Sequence, residues 1–199
     1  MEKIELKNIK YYGGIGVVLT LLGGLRRIGP LFRIAGIVLI LIALSEFAQK
    51  FREDKIFRQY LIGVIVNIVG MGFALIMAII TGAWSIVKTL IWGNYRGYYD
   101  IFSEISFAVV FFALLIYAIT ILSTHFYRDS LKRIADKTGI KNFSIAGDLL
   151  FYGAIGTVLI LGLFAMYIGW IILAVAFFSL PDFWETGTPE GQRTEVPQD

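Results

Sequence analysis

The chain has 199 residues, of which 57% are hydrophobic and 17% are charged. Soluble domains contain about 45–50% apolar and about 25% charged residues, so this composition excludes an ordinary water-soluble protein and predicts an all-α, multi-pass membrane bundle. With no cysteine, one histidine and a net charge of +3, the sequence also excludes disulfides, thiolate or multi-histidine metal centres and a nucleic-acid-binding surface.

The N-terminal region predicts two short antiparallel helices, at about 9–25 and 30–50. Its uncharged stretches hold only 15 and 12 residues, which is short for a membrane span. Pro30 suits the first turn of the second helix. A re-entrant hairpin is the alternative, but its tip would place Arg26 and Arg27 in hydrocarbon, so we expect the tip in water. The same arginines replace the small residues of a signal-peptide cleavage site, so we expect no cleaved signal peptide.

Three longer uncharged stretches predict further spans. They hold 29 residues between Arg58 and Lys88, 23 between Glu104 and Arg128, and 33 between Asp148 and Asp182. As one helix the last stretch measures about 50 Å, so it is either tilted and protruding or bent near 162–169. A sharp hairpin is not expected, because its second arm would be too short to cross. We therefore expect about five spans in one domain, 1–180, and a polar, irregular tail at 181–199.

The third helix is predicted to run from Asp54 to about Trp92. Small and polar residues recur along it every three or four positions: Gly63, Asn67, Gly70, Ala74, Ala78, Thr81, Ser85 and Lys88. The fourth span has a matching seam: Ser103, Ser106, Val110, Ala113, Tyr117, Thr120 and Thr124. Small residues let helices approach closely in a membrane, so we expect these faces to pack together. The fourth helix is expected to leave the membrane and end at Gly139.

The distribution of lysine and arginine predicts the orientation of the chain in the membrane. If the N-terminus is inside, twelve of these basic residues lie in cytoplasmic segments and four lie in outside segments. This bias predicts a cell-membrane protein with its N-terminus and the 124–142 loop in the cytoplasm. Four basic residues of that loop either contact anionic lipid headgroups or form a solvated helix end: Arg128, Lys132, Arg133 and Lys137.

Three polar residues of the predicted membrane region are candidate functional positions. Asn67 lies in mid-span, where it either forms an interhelical hydrogen bond or binds a solute or ion. Lys88 and Glu104 lie near the outer membrane ends, where they either anchor the helices or pair across the turn. No catalytic motif is present, so we expect no enzyme activity, no cofactor and no metal.

Residues 11–21 match residues 151–161 at seven of eleven positions, which leaves an internal duplication open. Three segments resemble an uncharacterised, largely archaeal family of small multi-pass membrane proteins of unknown function: the hairpin with Gly29-Pro30, His125–Gly147 and Gly169–Leu180. The resemblance implies a membrane location and no functional residues.

Two functions remain open from the sequence. The first is a non-catalytic interaction or scaffold protein, or an accessory subunit of a membrane assembly, whose partners are membrane lipids and other membrane subunits or a second copy. The second is a small transporter or channel for a solute or ion.

Overall fold

The computed structural model describes residues 3–25, 27–92 and 98–185, in which the chain forms six α-helices and two short strands. In chain order these are β1 (Lys3–Glu5), α1 (Lys7–Leu22), α2 (Gly29–Lys50), α3 (Asp54–Trp92), α4 (Tyr98–Thr138), α5 (Lys141–Ile155), α6 (Leu161–Phe178) and β2 (Phe183–Glu185). A 3₁₀ turn, Gly156–Leu159, joins α5 to α6. Five of these helices are long and apolar enough to cross a membrane, and the prediction of an all-α bundle is confirmed.

The helices form a closed ring, in which each packs against the next and α1 packs against α6. β1 pairs antiparallel with β2, so that Ile4 lies opposite Trp184, and part of the predicted irregular tail is therefore a strand. Lys10 of α1 forms an ion pair with Asp182 at 3.1 Å. The two strands thus meet at one end of the bundle. We call it the charged end and define it by four segments: 3–6, 50–56, 128–143 and 179–185.

The C-terminal third differs from the prediction. The expected single span over 148–182 is instead a hairpin, in which α5 and α6 pack along their lengths. Glycines make this packing tight: a Cβ on Gly162 would collide with backbone atoms of Gly153 and Gly156. A second arm too short to cross a bilayer does not exclude a hairpin, because these arms pack on each other whether or not they cross. The additional helix also brings the chain back to the end where it began.

The N-terminal hairpin has the predicted form, and its helix boundaries are Lys7–Leu22 and Gly29–Lys50. Gly16 and Gly36 bring the two backbones together, since a Cβ on either would press on the other helix. The first helix has only 16 residues, which is short for a span. The five long enough to cross are α2 to α6, where α5 is counted together with the 3₁₀ turn as Lys141–Leu159, and they are a different five from those predicted.

The apolar core lies at the charged end, and every helix contributes to it. Its almost completely buried side chains include Leu6, Ile9, Phe47, Ile56, Leu131, Ile134, Phe143 and Phe177. Away from this end the helices expose apolar side chains: in the most apolar windows of α3 and α4 only 17% of residues are buried. Exposed apolar surface of this extent is typical of helices that face lipid.

The predicted packing of the α3 stripe on α4 is found in the half nearer the charged end. Gly63 faces Tyr127, and Gly70 faces Ile119, so closely that neither glycine has room for a side chain. Ala78, further along the same stripe, is exposed. The stripe is therefore a helix contact over only part of its length.

The two segments proposed as a repeat have different structures. Residues 11–21 lie within one continuous helix, α1. Residues 151–161 contain the end of α5, the 3₁₀ turn and the start of α6. Each segment nevertheless belongs to a two-helix hairpin.

Candidate functional site

The mid-span residue Asn67 faces α4. Its side-chain amide donates a hydrogen bond to Ser123 Oγ at 3.4 Å, and Ser123 donates to the carbonyl oxygen of Thr120 at 3.0 Å. Ser123 is fully buried and Asn67 is half-buried. This is an interhelical hydrogen bond, and it engages the side-chain nitrogen of Asn67 in helix packing.

The other two polar candidates lie at the far end of the same helix pair. Lys88 belongs to the last turns of α3 and Glu104 to the first turns of α4. Their side chains lie outside the part of the chain that the structure describes, so their pairing stays a prediction.

A first pair of basic residues on α4, Arg128 and Lys132, holds one carboxylate of α5. Arg128 Nε donates to Asp148 Oδ1 at 2.6 Å, and Lys132 Nζ lies 3.2 Å from the same oxygen. Arg128 also donates to Tyr152 Oη at 3.2 Å, and its guanidinium lies 5.0 Å from the centre of the Phe151 ring. These contacts tie α5 to α4 at the level where the helices leave the charged end.

A second basic pair on α4, Arg133 and Lys137, holds Glu53 in the α2–α3 turn. Arg133 donates to Glu53 Oε1 at 3.3 Å and to Gln59 Oε1 at 2.9 Å, while Lys137 Nζ lies 3.0 Å from Glu53 Oε2. All four basic residues predicted to contact lipid headgroups therefore hold a carboxylate of this chain. The headgroup contact itself stays a prediction.

Sequence reasoning missed Glu53 and Asp148 as the partners of these residues. A usable signal was present, because Arg128 and Lys132, like Arg133 and Lys137, are four residues apart and share a helix face. Two such pairs on neighbouring faces predict two anionic partners. Their positions in the sequence do not say which carboxylates these are.

Both cations lower the pKa of the Glu53 carboxyl group. The hydrogen bond from Lys137 is the largest cause, and the charge of Lys137 and the contact with Arg133 add to it against a smaller opposing effect of burial. The folded protein therefore binds a proton at Glu53 less readily than the unfolded chain does. The ion pairs are fully formed above the ordinary pKa of 4.5 and are lost as the pH falls through the lowered value.

The variant Glu53→Gln is expected to be less stable than wild type at pH 7 by about 1 kcal/mol or less, since the pair is partly exposed. The difference should shrink as the pH falls below 4.5, because the protonated wild type loses the same contacts. Thermal unfolding of both proteins in detergent between pH 3 and 7 measures this. A difference that is constant across the range, or grows toward acid, would contradict the assignment.

A groove of about 390 Å³ lies between α2 and α3 near the charged end. Its apolar lining includes Ala48, Phe57 and Leu61, and the exposed Asp54 and Arg58 also line it. The groove does not include the mid-span amide. Within the described residues no group of three His, Cys, Asp or Glu side chains is placed to hold a metal ion.

The turn between α5 and α6 is apolar and exposed. Four consecutive side chains are each 68–73% exposed: Val158, Leu159, Ile160 and Leu161. Tyr117 of α4 donates a hydrogen bond from its hydroxyl to the carbonyl oxygen of Ile155, the last residue of α5, at 2.7 Å. A surface turn in water is ordinarily rich in polar residues and glycine, so the exposed apolar side chains of this turn are more typical of an apolar environment than of water.

Comparison with known proteins gives a family and an archaeal relative. The sequence model of a family described as "Protein of unknown function (DUF996)" matches residues 32–171. An uncharacterised protein of Methanocaldococcus jannaschii is 34% identical over 182 residues, which cover 92% of this chain and 97% of the relative. No solved structure matches the chain. The resemblance to a family of unknown function is confirmed, and an archaeal protein is among the relatives.

Proposed function

Since this chain belongs to the DUF996 family, whose function is unknown, we propose a role from its own structure: a non-catalytic membrane protein that acts as a scaffold or accessory subunit through its helix surfaces. Its partners are membrane lipids and the helices of other membrane subunits or of a second copy. We further propose that it is a multi-pass protein of the cell membrane, with the charged end in the cytoplasm.

One observation carries this proposal: the polar groups of the described interior are engaged in helix contacts, while the exposed helix surface is apolar. Asn67 bonds to Ser123, and the four basic residues of the α4 end hold carboxylates. Among the described residues, every buried side-chain nitrogen or oxygen has a hydrogen-bond partner. Such an interior supplies helix packing, whereas catalysis and transport need polar groups free to meet a substrate.

Transport is the alternative, and Asn67 tests it because it is the mid-span polar group on the α3–α4 seam. In vesicles containing purified protein, we expect proton and potassium flux, followed with an enclosed pH-sensitive dye, to equal that of protein-free vesicles. The variant Asn67→Leu is expected to cost about 0.6–2 kcal/mol of stability and to leave this flux unchanged.

A matched control is Thr81→Val, which removes a hydroxyl from the exposed part of the same helix stripe. If wild-type vesicles carry a flux that Asn67→Leu abolishes and Thr81→Val keeps, while the unfolding midpoint shows the variant to be folded, the protein is a transporter and the scaffold proposal is wrong.

A further inference from the structure

The depth of the α5–α6 hairpin can be read from its contacts with α4. The ion pair of Arg128 with Asp148 marks the start of the apolar part of both helices. From Arg128, α4 continues uncharged for 23 residues to Glu104, about 36 Å. Tyr117, which bonds to the end of α5, lies 11 residues along this stretch, or about 16 Å. The hairpin therefore ends near the middle of the apolar part of α4.

The chemistry of the α5–α6 turn fits that depth. Its exposed valine, leucine and isoleucine side chains would be solvated poorly in water or among headgroups, but not in hydrocarbon. A helix that ends inside a bilayer leaves carbonyl groups that no water can satisfy. Tyr117 supplies a hydrogen bond to one of them, the carbonyl of Ile155.

The α1–α2 hairpin is shallower still. Gly13 of α1 contacts the ring of Phe177, which in turn packs edge-on against Phe143 of α5. Beyond this common level α1 continues for nine residues, about 14 Å, and α5 for twelve, about 18 Å. Asp148 lies about 8 Å beyond the same level, measured along α5 away from the charged end. Because α1 continues for about 14 Å in that direction, it ends only about 6 Å beyond the Arg128–Asp148 ion pair. The exposed Arg27 at this tip is thus close enough to the headgroups to reach them with its long side chain.

The third hairpin is much longer than the other two. α3 has 39 residues and α4 has 41, about 58 Å and about 61 Å. α3 begins and α4 ends at the charged end, beside the short helices. Beyond the level of Tyr117 both helices continue.

We propose that only α3 and α4 cross the bilayer and that the two short hairpins enter it from the charged end and turn back, so that the protein is a wedge. At the level of the ion pair six helices occupy the leaflet at the charged end, about 6 Å deeper four remain, and two occupy the other leaflet. With helix diameters of about 10–12 Å, the excess cross-section is roughly 300–450 Å² at the ion pair and roughly 160–230 Å² deeper in the leaflet. Excess area in one leaflet favours a membrane that is convex on that side, so the protein prefers and promotes bending toward its charged end. This inference rests on the scaffold proposal and identifies the bilayer as the structure whose shape the protein affects.

The half-depth of α5–α6 is tested by cysteine accessibility, for which the chain offers a cysteine-free background. In vesicles, Leu159→Cys should resist a membrane-impermeant maleimide added from either side and should react only after detergent is added. The matched control Ser179→Cys, exposed at the charged end of α6, should react without detergent in the molecules whose charged end faces the reagent. Reaction of Leu159→Cys without detergent would mean that the α5–α6 turn reaches water, and would overturn the wedge.

The shape preference is tested on membrane tubes pulled from giant vesicles that contain the Ser179→Cys protein. One sample is dyed from outside only, which reports molecules with the charged end outward; in a second, outside thiols are first blocked and a permeant dye then reports the opposite orientation. We expect about two-fold enrichment on tubes for the first, equivalent to about 0.4 kcal/mol, and depletion for the second.

Equal density on tubes and flat membrane in both orientations, or enrichment in both, would overturn the wedge. That result would leave the scaffold proposal standing, because the latter fails only if vesicles carry an Asn67-dependent flux. The two proposals therefore fail on different measurements.

Discussion

Replacing Phe177 with alanine is expected to lower the free energy of unfolding by about 3–5 kcal/mol, as for other fully buried phenylalanines. The Phe177 ring is 1% exposed, lies against Gly13 of α1, and packs edge-on against Phe143 of α5 with centroids 5.1 Å apart. It therefore joins α6 to both α1 and α5. Its loss leaves a cavity where the ring of helices closes, and the glycine opposite has no side chain with which to fill it.

For a chain of this length, such a loss corresponds to a fall of about 10 °C in the unfolding midpoint. The matched control is Phe164→Ala, in the same helix, where the phenylalanine side chain is 65% exposed. Because Phe164 faces lipid or detergent, its removal should change stability by less than about 0.5 kcal/mol. Thermal unfolding of the two variants in one detergent compares them directly. Equal shifts would place Phe177 outside the core.

Much of the first four helices could be predicted from the sequence, because the signals there are local. Pro30 lies in the first turn of α2, and α4 ends at Thr138, just before Gly139, which has a positive φ of 68°. The spacing of small residues placed one face of α3 against α4, and Gly63 and Gly70 lie at that contact. In each case a single residue type favours a particular backbone conformation or leaves room for a neighbouring helix.

The α5–α6 turn could not be predicted by the same means, because most of its residues do not ordinarily mark a turn. Polar and glycine residues mark turns that meet water, but here Gly156 and Thr157 are followed by valine, leucine and isoleucine. Ile160 even adopts a positive φ of 57°, a backbone region that β-branched side chains rarely occupy. The remaining signal was the cluster Gly153, Gly156 and Gly162, whereas the bend considered from the sequence lay near 162–169. An uncharged run of 33 residues was therefore taken for one helix.

The ion pairs at the charged end could not be predicted from the sequence for a different reason. Glu53 and Arg133 are 80 residues apart, and Arg128 and Asp148 are 20 apart, so neither pair leaves a local pattern. From the sequence alone the basic residues fit the positive-inside rule, and lipid headgroups were sufficient partners for them. The fold adds the carboxylates by bringing α5 and the α2–α3 turn against two neighbouring faces of α4. These contacts set the level from which both short hairpins rise, and the wedge depends on that level.

The variant Gly162→Ala is expected to cost about 3 kcal/mol, the upper end of the range for overpacking, because the added methyl group meets backbone rather than a mobile side chain. A Cβ at this position would collide with backbone atoms of Gly153, Gly156 and Thr157, so α5 and α6 would have to separate at their tip. Separation would also pull Ile155 away from Tyr117 and leave its carbonyl unsatisfied in hydrocarbon.

The same substitution at Gly72 is the matched control, since no atom lies within 4 Å of a Cβ built there in the middle of α3. Alanine is the better helix former by up to about 1 kcal/mol, so Gly72→Ala should leave the unfolding midpoint unchanged or raise it. Gly162→Ala should lower the midpoint in the same detergent. An unchanged midpoint would show that the hairpin does not depend on the close contact at Gly162, and would contradict the packing described for α5 and α6.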